Sequence, residues 1–88
     1  GPLSSGSLDV RRKRMLFRAR HRGMKEMDLI LGGFADAHLA NFDDAELDVF
    51  ERLLDESDHD ILAWIVGDAP VPARADTPLF QRIRVFHP

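Results

Sequence analysis

Apolar side chains in this chain recur at spacings of three and four residues, with no sustained alternation at two. That periodicity admits amphipathic helices and leaves little from which to build a sheet. Tyrosine is absent, valine and threonine are few, and no stretch alternates for long. The 88 residues make one domain's worth of chain, and two separate cores would not fit. A chain this size buries roughly 60–65% of the surface its unfolded form exposes. A large internal cofactor cavity would consume much of that core.

Caps and stops divide the chain into five short helices. The first runs from about Asp9 to His21, with Asp9 as N-cap and Gly23 as a left-handed stop. Met15, Leu16 and Ala19 give it a narrow apolar stripe; its other faces are mostly Arg and Lys. The second runs from about Met24 to His38, with Met24, Met27, Leu31, Phe34 and His38 along one face. Gly32-Gly33 interrupts it, and each interior glycine costs about 1 kcal/mol relative to alanine. A close approach of another helix over this pair is the expected compensation, in preference to a hinge. The third starts at the capping box Asp43-Asp44-Ala45-Glu46, with Phe42 stapled onto Leu47, and buries Leu47, Phe50, Leu53 and Leu54. The fourth opens at Ser57 and stops at Gly67. It is apolar nearly all round, which places it at the centre of the bundle. Asp68 to Asp76 is a proline-containing connector. Thr77-Pro78 then caps a fifth helix with Leu79, Phe80, Ile83 and Phe86 on its inner face. The expected fold class is all-α: a compact antiparallel bundle of five short helices spanning residues 8–88. Residues 1–7 read as the remnant of an expression tag and linker, so the native N-terminus is replaced.

Charge is segregated along the chain. The net charge is −3, from 12 Lys+Arg against 15 Asp+Glu. Yet eight of the bases lie between Arg11 and Lys25, and nine of the acids between Asp43 and Asp60. Such a chain either pairs its own halves or offers two different surfaces to a partner.

Several chemistries are excluded or unsupported. Without cysteine there is no disulfide framework, thiolate zinc site or iron–sulfur ligation. The longest apolar run, Ile61 to Val66, falls far short of the ~20 residues that span a bilayer. The four histidines form no HExxH arrangement, and His59 between Asp58 and Asp60 reads as a solvated helix start. Ser57 and Thr77 are best explained as caps, and no nucleophile elbow or phosphate loop occurs. No enzyme is expected.

Two basic features remain. Arg11-Arg12-Lys13-Arg14 reads as a solvated helix face, or else as a phosphate-attracting arm with only Phe17 to stack on a base. Arg20-His21-Arg22-Gly23-Met24-Lys25-Glu26 reads as a tight corner between two helices. Gly23 supplies the positive φ there, and Glu26 caps the next helix. Three cationic or titratable side chains bunched at that corner are expected to project outward, and outward arginine at a rigid turn suits carboxylate or phosphate recognition.

Arg22-Gly23-Met24-Lys25-Glu26-Met27-Asp28 resembles the R-G-x-x-E motif of the small succinate dehydrogenase assembly factors. Phe50, Leu53-Leu54, Asp58, Asp60 and Trp64 resemble that family's L-L-x-x-x-D-x-D-[LI]-x-x-W stretch. The likeness covers roughly Arg11 to Trp64. His21 departs from it, standing where many members have arginine. The resemblance implies a helical bundle that binds the flavoprotein subunit of succinate dehydrogenase and promotes covalent FAD attachment, holding no cofactor tightly itself. Fumarate reductase flavoproteins are a further partner implied for bacterial members. The partner-binding residues implied are Arg22, Gly23, Met24, Glu26 and Asp28, with Arg20 and His21 beside them. Arg11, Arg14, Asp58 and Asp60 are secondary surface candidates. The expectation is a cytoplasmic bacterial monomer forming a one-to-one heterocomplex, with the mitochondrial matrix as the other compartment. A small nucleic-acid-binding module built on the basic first helix is the alternative.

Overall fold

Helices form where the caps and stops place them. The structure, a computed structural model, describes residues 9–86; the tag-remnant reading of residues 1–7 and the last histidine, His87, lie outside these. Within them run α1 (Val10–Arg20), α2 (Lys25–His38), α3 (Asp44–Leu54), α4 (Asp58–Val66) and α5 (Pro78–Arg84), with no strand among the described residues. Asp9 accepts from the Arg12 amide, Ser57 from Asp60 and Thr77 from Phe80, each satisfying an orphan donor of a first turn. Asp43 and Glu46 make the reciprocal capping box that their spacing requires. Gly67 ends α4 at φ +85°, in the left-handed region. The sequence reading missed one element, a 3-10 turn at Leu39–Asn41 that tightens the exit of α2.

The core draws on every helix. Met15 and Ala19 from α1, Met27, Leu31, Phe34 and Ala35 from α2, and Leu47, Phe50, Leu53 and Leu54 from α3 are all buried. Leu79, Phe80 and Ile83 close it from α5. Phe34 lies at its aromatic centre, among Phe42, Phe50, Phe86 and His38.

The expectation that α4 is central is corrected. Only Ile61 and Trp64 are buried; Leu62 and Ile65 are half-exposed and Val66 is exposed. Nine residues present one inward face at i and i+3. The centre belongs instead to α2, which has five buried residues.

The Gly32-Gly33 expectation is met at Gly32. A Cβ there would lie 3.1 Å from Arg20 Cγ and 3.4 Å from the Ala19 carbonyl oxygen, so the missing side chain is what lets α1 and α2 close. Gly32→Leu is therefore expected to destabilise the fold by about 1–3 kcal/mol through overpacking. The check is a lower urea midpoint at unchanged slope.

Candidate functional site: the corner between α1 and α2

The segregated charges pair with each other. α1 and α3 run in the same direction, and arginines of the first step along acids of the second. Arg11 Nη2 donates to Asp48 at 2.6 Å and to Glu51 at 2.9 Å. Arg18 Nη2 reaches Asp55 at 2.7 Å. Arg22 continues the series past the end of α1, its Nε donating to Asp58 at 2.7 Å. Two further arginines are also engaged. Arg12 binds Asp9 and donates to the carbonyls of Leu39 and Phe42, and Arg20 pairs with Asp36. The carboxylates at Asp48 and Glu51 raise the pKa of Arg11 further, chiefly through their hydrogen bonds.

Arg22 overturns the expectation of an outward-aimed arginine. Its side chain is 9% exposed and that of Asp58 12%. Beyond Asp58, Nη1 donates to the Leu54 carbonyl at 2.6 Å and Nη2 to the Glu56 carbonyl at 2.7 Å. The physical reason lies in α3. The Asp55 and Glu56 amides satisfy the Arg52 and Leu53 carbonyls, but no glycine stop follows, and the Leu54 carbonyl takes its donor from Arg22. A planar guanidinium spans that oxygen, the Glu56 carbonyl in the link to α4 and the carboxylate of Asp58 at once, in the negative end of the α3 dipole.

Other motif residues divide into structural and exposed groups. Asp28 accepts the Arg22 amide, so it, rather than Glu26, ties the start of α2 to the corner. Met24 is the N-cap position with no side-chain cap bond, and packs half-buried on the core. Asp58, a secondary surface candidate, is instead Arg22's ion partner, and Arg11 is committed to α3. Gly23 has φ +94° with open space where a Cβ would stand. Glu26 is exposed, with no hydrogen bond or ion pair among the described residues. So is Arg14; Asp60 is exposed and contributes only its amide, to the Ser57 cap. His21 is exposed at the C-cap of α1. Its Nδ1 donates to the Phe17 carbonyl at 2.8 Å, and its ring stacks on Phe17 with centroids 4.0 Å apart. A carbonyl only accepts, so that bond fixes the proton on Nδ1.

What the corner offers, then, is a rigid edge of His21, Gly23 and Glu26, with Leu29 exposed one turn further along α2. Arg22 braces it from behind. Among the described residues no group of three or more His, Asp or Glu could hold a metal ion, and no helix is long and apolar enough to cross a membrane. The fold and the corner define a small all-α module with an exposed edge braced from behind. The chain belongs to the family described as Sdh5, flavinator of succinate dehydrogenase, whose model matches residues 13–87. It is 35% identical over 81 residues to the FAD assembly factor SdhE of Acetobacter pasteurianus, covering 92% of this chain and 74% of that protein. It is 51% identical over 61 residues to the mitochondrial succinate dehydrogenase assembly factor 2 of Mycosarcoma maydis, covering 69% of this chain and 26% of the relative. The corresponding protein of Candida glabrata is 42% identical over 84 residues, 91% of this chain and 55% of its own. The chain thus spans about a quarter to just over half of these mitochondrial relatives.

Proposed function

We propose that this chain binds the immature flavoprotein subunit of succinate dehydrogenase and promotes covalent attachment of FAD to it, without turnover of its own. The observation that carries the reading is the braced corner: the family's R-G-x-x-E motif forms an exposed Gly23–Glu26 edge on a backbone fixed by Arg22 and Asp28. A factor of this kind acts by differential binding. It raises the population of the partner conformation in which the flavin bond forms, and by no more than its preference for that conformation. Glu26 is the charge offered to a partner cation, Gly23 permits close approach, and His21 and Leu29 flank them. Flavoproteins of fumarate reductase are a second partner of the same chemistry. The complex is one-to-one, in the bacterial cytoplasm. The mitochondrial matrix is the alternative that the fungal relatives, named mitochondrial, support.

The nucleic-acid reading loses ground on the same geometry. Five arginines of the basic segment are engaged within the fold, which leaves Lys13, Arg14 and Lys25 unpaired there among the described residues.

The test mixes the chain with its cognate apo-flavoprotein and FAD, and reads covalent flavin by fluorescence in a denaturing gel. Glu26→Ala is expected to lower flavinylation about tenfold or more while leaving the melting temperature within about 2 °C, since an exposed, unpaired carboxylate contributes little to stability. Gly23→Arg is expected to abolish it. Equal flavin incorporation with wild type, both variants and no factor at all would defeat the reading.

A further inference from the structure

α1 carries a second face that the fold does not use. At 100° per residue, Val10, Lys13, Arg14, Phe17 and His21 fall within about 100° of arc, opposite the buried Met15 and Ala19. Phe17 is 62% exposed and Val10 64%. They are two of the five large apolar side chains exposed among the described residues. Lys13 and Arg14 stand between them. While the neighbouring arginines each hold an internal acid, these two cations have no ion pair among the described residues, and no acid lies on the stripe. Beside it, along the flank of Arg18, is a shallow apolar depression. Phe17 is also the base on which His21 stacks, so the stripe runs without a break into the Gly23–Glu26 edge.

We infer that this stripe is a second docking element for the flavoprotein subunit, fitted to an apolar patch that carries carboxylates. The inference rests on the reading under Proposed function. Charge complementarity selects the occupant: two unpaired cations flanking exposed apolar side chains require an acidic, partly apolar surface. A lone aromatic between cations is a poor platform for successive bases of a nucleic acid. The stripe is also too short, at about three turns, to bury an apolar face in a lipid surface strongly. Phe17 is the anchor, a rigid ring with its edges already aligned by His21. Lys13 and Arg14 set the encounter rate and its salt dependence.

The experiment measures the affinity of the full chain for its apo-flavoprotein subunit at two ionic strengths. Phe17→Ser is expected to weaken binding about tenfold or more. The pair Lys13→Glu with Arg14→Glu is expected to do likewise and to flatten the salt dependence. Val85→Ser, an exposed apolar change beyond α5, should bind as wild type does. Circular dichroism confirms that each variant is folded, and the charge pair serves if Phe17→Ser is not. If wild type binds and Glu26→Ala weakens it, but both stripe variants bind normally, the stripe proposal falls and the corner reading stands. Failure of the wild-type chain to bind the subunit at all overturns both. Stripe-dependent binding to single-stranded DNA or to phosphatidylglycerol vesicles, with flavoprotein binding unaffected by the variants, overturns the stripe proposal in favour of that ligand.

Discussion

Arg22→Ala is expected to melt far below wild type, by roughly 12–24 °C for a domain of this size, corresponding to about 3 kcal/mol. The guanidinium donates to one carboxylate and two carbonyls, and only 9% of its side chain reaches solvent. Alanine leaves Asp58 charged without this partner and removes the side-chain donors that Arg22 gives to the Leu54 and Glu56 carbonyls. Truncating one side of a nearly buried pair is more damaging than the pair's net contribution, because the remaining charge stays desolvated. Arg22→Lys recovers a minor part, since an ammonium is one point of charge and cannot span three acceptors. Differential scanning fluorimetry checks both variants. Flavinylation separates the roles: at a temperature where Arg22→Ala is still folded, its activity returns toward wild type, whereas that of Glu26→Ala does not. An unchanged melting temperature for Arg22→Ala would refute the bracing role.

Phe34→Ala is the second large effect. Phe34 is buried with Phe86 edge-on at 5.5 Å and Phe42 and Phe50 at 6.1 and 6.4 Å between ring centroids. The Arg82 guanidinium lies 5.6 Å over its face. Removing such a ring costs about 3–5 kcal/mol, the transfer energy plus the void it leaves. A domain of this length holds in total roughly 4–12 kcal/mol. The variant is therefore expected to populate the unfolded state substantially at 37 °C, with helical circular dichroism lost well below the wild-type midpoint. Phe34→Leu fills much of the space and should recover most of the signal. Side chains of α2, α3 and α5 meet at this ring together with Phe42 and Phe86 from the segments beside them, so a small loss would mean that the aromatic cluster is not the centre of the core.

Much of this fold was readable because local chemistry and tertiary structure agree. Each of Asp9, Asp43, Ser57 and Thr77 opens the helix its side chain can cap, and Leu47, Phe50, Leu53 and Leu54 are buried as their spacing demands. Where reading along the chain failed, the deciding contact was remote in sequence. Hydrophobicity alone placed α4 at the centre, but a helix's position depends on which neighbours cover it, and its Val66 stayed outside. The corner failed for the same reason. A cluster of cations at a turn reads as exposed until the carbonyls and the acid 32 to 36 residues away are seen. Charge segregation held the clue, because a basic first helix and an acidic third one satisfy each other. Within the motif the arginine and the glutamate face opposite ways: Arg22 in, Glu26 out.

One planar group closes the ends of α1, α3 and α4 together. The edge it supports has no private slack; any shift at Gly23 must drag three helix termini with it. The molecule therefore meets a partner as a preformed shape, its ordering entropy already spent in folding. On the proposed function, the change of conformation on encounter then falls to the flavoprotein subunit.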